Sequence, residues 1–108
     1  MTKEKAGVPL RFGNKVYIAR ADFALVHEIE QELGGIAALA AQFSRQDWTV
    51  SALVTLTHMV LQAAGETVDY VFLGNLMLTE GLGRYLATAR DFLQLLLHAG
   101  QGPDARQF

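Results

Sequence analysis

The sequence contains no cysteine. Disulfides and thiolate metal sites are thereby excluded, and a chain that needs no oxidising compartment fits a cytoplasmic setting. Charge is also scarce: 19% of residues are charged, Lys+Arg 9 against Asp+Glu 11, for a formal net charge of -2. No basic excess is available to neutralise a phosphate backbone, so nucleic acid is not an expected ligand. No stretch approaches the roughly 20 uninterrupted apolar residues of a membrane span. Met1–Lys5 is charged with no apolar run behind it, which is not the pattern of a signal peptide.

What is present is apolar. Over 108 residues the hydrophobic fraction is 51%, a globular rather than disordered composition. A chain of this length makes one domain and buries somewhat over ~60% of its unfolded surface. So apolar a composition leaves surface that must face outward or be covered by a partner.

The patterning predicts a mainly α fold, an N-terminal β-hairpin followed by a compact bundle of about five helices. Residues 1–7 read as a flexible lead-in, 8–99 as the single domain and 100–108 as a flexible tail. Val8, Leu10 and Phe12 alternate with Pro9 and Arg11. Gly13-Asn14 suits a two-residue turn, and Val16-Tyr17-Ile18 resumes the strand. If the turn closes between Phe12 and Lys15, Leu10 faces Tyr17 and Val8 faces Ala19, with Val16 and Ile18 on the opposite side. A lone hairpin is marginal in water, so this one must lie on the helices or pair with another strand.

Asp22 is a suitable N-cap for a first helix, with Phe23, Val26, Ile29 (or Glu30) and Leu33 at core spacing and Gly34-Gly35 as its stop. Ile36–Phe43 reads as a short helix of small residues. Trp48, in the polar connector that follows, reads as a staple onto the core in preference to an exposed anchor. Thr49 or Ser51 caps a third helix running to about Ala64. Its polar residues, Ser51, Thr55, His58 and Gln62, trace one narrow stripe. A helix so apolar elsewhere is central in a bundle or buried at a subunit contact. A fourth apolar helix opens at Thr67 or Asp69, with Gly74-Asn75 as a weak point where it bends or breaks. After Glu80-Gly81-Leu82-Gly83, a last helix spans Arg84 to about His98, its core face carrying Leu93 and Leu96.

The residues offer little chemistry. His27, His58 and His98 are far apart and none has a second ligand at metal spacing. His58 reads as a surface histidine before a buried polar anchor, and Glu28, Glu30 and Glu32 as a solvated face. Gly34-Gly35 and Gly81-Leu82-Gly83 lack the Lys-Ser/Thr of a P-loop, and no Gly-x-Ser-x-Gly elbow occurs. No catalytic residue, cofactor site or metal site is therefore expected. Partner binding is placed on Tyr17, Tyr70, Phe72 and Met77, the last three on the most apolar and least regular helix, where a core role is at least as well supported.

The order of elements, with Leu10, Phe12, Gly13, Tyr17 and Ile18 in the hairpin and Glu30 before Gly34 in the helix that follows, resembles the small tail proteins of gene transfer agents and prophages, in the tail assembly chaperone group. The resemblance spans roughly residues 8–99; Ile29 stands where that family often has Leu, a conservative difference. It implies a non-enzymatic part in phage-like tail morphogenesis. A tail assembly chaperone coats a long, hydrophobic tape measure protein until tail tube subunits polymerise around it. Two other readings stay open: a structural tail tube component kept in the phage-like particle, and a small helical adaptor or regulator unrelated to phages. Excess apolar surface or the hairpin edge also allows a homo-oligomer.

Overall fold

The computed structural model describes residues 7–12, 15–20 and 22–101, and side chains as far as His98. The expected Gly13-Asn14 turn, the lead-in before Gly7 and the tail from residue 102 onward lie outside them. The described residues are mainly helical, five helices following a two-stranded antiparallel hairpin.

The hairpin pairs β1 (Gly7–Phe12) with β2 (Lys15–Arg20). Its register is the one the alternation predicts: Phe12 opposite Lys15, Leu10 opposite Tyr17, Val8 opposite Ala19. Leu10 and Ala19 are buried, whereas Val16 and Ile18 are 52% and 45% exposed. The inner face rests on helices, β1 against the last and β2 against the third, which supplies the apolar cover a two-stranded sheet lacks by itself.

Helix α1 spans Phe23–Leu33, with the Asp22 carboxylate accepting from the Ala24 N–H at 3.2 Å and Gly34 closing it at φ 99°. It buries Leu25 and Ile29. Phe23, expected in the core, is 80% exposed and stacks on His27. The reason is angular: Phe23 lies about 200° around the helix from Leu25 at 3.6 residues per turn.

Helix α2 (Ile36–Ser44) buries Ile36, Leu39, Ala40 and Phe43. Trp48 meets Phe43 edge-on at 6.1 Å and is partly buried against the core. That is the staple reading. Helix α3 (Val50–Ala63) starts at Thr49, whose hydroxyl accepts from the Ala52 N–H at 3.0 Å.

Helix α4 spans Tyr70–Glu80 and takes Asp69 as its cap, the carboxylate accepting from the Phe72 N–H at 2.9 Å. The expected break at Gly74-Asn75 does not occur; α4 is one helix throughout. Gly74 lies against α3, where a Cβ would meet Val54 Cγ1 at 3.7 Å. Tertiary contact outweighs the weak propensity of one glycine. Helix α5 (Leu82–Gln101) begins directly after Gly81, φ 102°, and runs past His98 through Gly100, further than expected. A glycine near a helix end lowers stability by only about 1 kcal/mol and need not stop the helix.

α3 is the central element, touching α1, α4, α5 and β2. Of the two burial modes its composition allows, the structure takes the bundle interior. Leu53, Val54, Leu56, Val60 and Leu61 of α3 join Phe43, Leu73, Met77, Phe92 and Leu93 in one core.

Candidate protein-binding surfaces

The polar stripe of α3 is where the chain folds back into α4. Thr55 Oγ1 lies 3.0 Å from the Tyr70 hydroxyl, which also donates to the Ser51 carbonyl at 3.4 Å. His58 Nε2 is 2.8 Å from the Val68 carbonyl, and its ring meets the Tyr70 ring edge-on at 5.6 Å. A carbonyl only accepts, so Nε2 carries the proton in this arrangement. His58 is half-buried and anchors the connector, which corrects its reading as a surface histidine. Offsets of four, three and four mark a stripe but do not say whether it meets water or another segment.

Glu30 is likewise more than part of a solvated face. Its carboxylate accepts from the Ile36 N–H at 2.9 Å, capping α2 from the preceding helix. A negative side chain at a helix start satisfies a donor that the helix leaves unpaired.

The four side chains expected to contact a partner are dispersed. Tyr17 is half-buried and donates its hydroxyl to Glu66, pinning β2 to the α3–α4 connector. That hydrogen bond, with lesser help from burial and from the Glu66 charge, raises the phenol pKa above its ordinary value. Tyr70 is 40% exposed but engaged with α3. Met77 is completely buried beside Leu73 and is corrected from candidate surface to core: it follows Leu73 by four residues and shares its face. Phe72 alone stands out from the fold, 57% exposed.

It has company that was not expected. Val71 is 66% and Leu78 57% exposed. At seven residues apart, these two align on the outward side of α4, with Asn75 and Thr79 among them. The signal was available in the sequence: a surface helix normally has a broad polar face, and Tyr70–Glu80 has only Asn75, Thr79 and Glu80.

Two grooves border other elements. One, about 630 Å³, runs along β2 between the start of α1 and the end of α3. The other, about 660 Å³, lies between α1 and α3 and is lined by Glu28, Glu32, His58 and Gln62 among others.

Comparison with known protein families, characterised proteins and solved structures returns no match. His27, His58 and His98 sit on three different helices. Among the described residues no three His, Asp or Glu side chains are grouped to hold a metal ion, and no helix is long and apolar enough to cross a membrane.

Proposed function

We propose that the chain is a non-catalytic binding domain that covers an apolar helical stretch of a longer protein, acting as a tail assembly chaperone on a tape measure protein. The observation that carries the binding role is the outward face of α4, where Val71, Phe72 and Leu78 are each more than half exposed. Burying such a side chain fully is worth about 1.5–3 kcal/mol, so the aligned pair Val71 and Leu78, with Phe72 about 100° further round the exposed side beyond Asn75 and Thr79, offers anchors of useful size. An amphipathic partner helix laid along α4 meets this face by ordinary helix packing. The tail assignment draws on the hairpin-to-helix resemblance through Leu10, Phe12, Tyr17, Glu30 and Gly34.

The test is to identify the genes that neighbour this chain's and, where one encodes a tape measure protein, to coexpress the chain with fragments of it. A chaperone holds a fragment in solution, co-elutes with it, and is absent from finished particles. Many copies in purified particles would replace the chaperone reading with a tail tube component. Neither result, or metabolic genes as neighbours, would overturn the tail reading and leave an adaptor of another partner.

A further inference from the structure

A smaller cleft, about 270 Å³, lies between β1 and the start of α5. Two exposed guanidinium side chains from separate elements line it, Arg11 of β1 and Arg84 of α5, and no acidic residue does. Among the described residues Arg11 enters no ion pair, while Arg84 meets Glu80 at 3.6 Å. Two arginines against one glutamate leave a net positive charge of one at this end of the fold. The first turn of α5 adds the unpaired N–H groups and partial positive charge of a helix start.

Below the cleft the lining becomes apolar. Leu10, Tyr85 and Thr88 line both the cleft and an inner cavity of about 20 Å³, so the two adjoin. Leu56, Ala89 and Phe92 of the core wall the inner cavity, with Thr57 as a polar exception. One water needs roughly 10–15 Å³, so the inner cavity takes a single methyl-sized group. Cation at the mouth and apolar space behind it are the two halves of a site for a small amphiphilic anion.

Size and charge together choose the occupant. The cleft falls just under the roughly 300–1,000 Å³ that holds a drug-sized ligand, which favours a small molecule over a second protein chain. A single net positive charge matches a monoanion better than a phosphate dianion, and a guanidinium grips a carboxylate through paired N–H bonds. We propose that the β1–α5 cleft binds a free short-chain carboxylic acid as its anion, with the carboxylate at Arg11 and Arg84 and the terminal methyl toward Phe92. This site is separate from the α4 face and does not depend on the tail reading.

The experiment titrates butyrate into the full chain at neutral pH and follows the backbone amide signals by nuclear magnetic resonance. Acetate, n-butanol, n-butylamine and inorganic phosphate serve as comparisons at equal ionic strength. Butyrate shifts the amides of Arg11, Tyr85 and Ala89 and saturates with a Kd on the order of 1 mM, within reach of so small a ligand. Acetate binds about tenfold more weakly, having lost two CH2 groups. Butanol and butylamine, which keep the tail but not the negative charge, also bind about tenfold or more weakly. Arg11→Gln and Arg84→Gln each weaken butyrate about fivefold or more and leave butanol unchanged, a split that a merely structural role of either arginine would not produce. Both positions are exposed; if Arg84→Gln does not fold by circular dichroism, Arg11→Gln decides. No saturable shift with butyrate, equal binding of butanol, or butyrate binding that both variants retain would each overturn the proposal. So would tighter binding of phosphate, or of a blocked peptide ending in a free Val carboxylate, which would make the ligand an inorganic anion or a chain terminus instead.

Discussion

At Gly81 the backbone takes φ 102°, a conformation that L side chains rarely adopt, whereas Gly74 lies inside α4 with space for a methyl group at ordinary contact distance from Val54. Gly81→Ala should lower stability by about 1 kcal/mol or more through backbone strain. Gly74→Ala should raise it by up to about 1 kcal/mol through helix propensity and reduced freedom of the unfolded chain. Chemical denaturation of both variants checks the opposite signs. Tyr85 offers a pH-dependent counterpart. Its ring is buried and its hydroxyl donates to Glu80. Burial first, then the Glu80 bond and charge, push its pKa from 10.0 up to about 12, against a smaller opposing effect of Arg84. The unfolded chain releases this proton near the ordinary value while the folded chain retains it. The contribution of Tyr85 to stability is therefore fully present below pH 10.0 and is lost as pH rises from there to about 12. Tyr85→Phe should flatten that part of the stability profile relative to the parent; an unchanged alkaline slope would refute the assignment.

Elements carry their own tests. On α5, Leu93 and Leu96 are buried while Gln94 is exposed and Thr88 half-buried, with its hydroxyl donating to the Arg84 carbonyl. Leu93→Asp or Leu96→Asp should unfold the domain, since an unpaired carboxylate cannot be accommodated in the core. Thr88→Ala and Gln94→Ala should shift stability by no more than about 0.5 kcal/mol, and loss of the folded circular dichroism signal in either would refute this facing of α5. At the α1–α2 corner, Glu30→Ala should cost about 1 kcal/mol, with Glu30→Gln recovering most of it because an acceptor oxygen remains. These elements also show what the sequence makes legible. The hairpin register and the faces of α5 follow from periods of two and 3.6, which local order alone imposes. The continuity of α4 was not legible because its cause, the seat of Gly74 on Val54, is a contact between helices. The capping by Glu30 and the seating of His58 on Val68 are not legible for the same reason: they join residues six and ten apart, respectively, across a bend. Phe23 is apolar and opens α1, yet the buried stripe of that helix starts at Leu25, so its position in the sequence does not reveal that it faces outward.

At the scale of the whole molecule, the division between core and outer surface runs through α4 itself. Leu73 and Met77 are wholly buried, whereas Val71, Phe72 and Leu78 are each more than half exposed. A helix whose polar strip is as narrow as Asn75 and Thr79 gives little cue to its orientation, so sequence alone does not distinguish Phe72 from Met77. The bundle separates them, because α4 turns one side to α3 and α5 and the other is left uncovered by the described residues. Separation makes the binding proposal testable without confusion with folding. Replacing Val71, Phe72 and Leu78 together with Ser removes apolar surface that the folded chain already exposes, so the change in stability should stay within about 1 kcal/mol. Met77→Ser, one residue from Leu78, should instead cost about 2–5 kcal/mol, combining a cavity with a buried hydroxyl. If α4 is the partner surface, the triple variant remains folded and no longer co-elutes with a tape measure fragment. A triple variant that is folded and still binds would move the partner surface elsewhere, and one that unfolds would show that this side of α4 supports the fold.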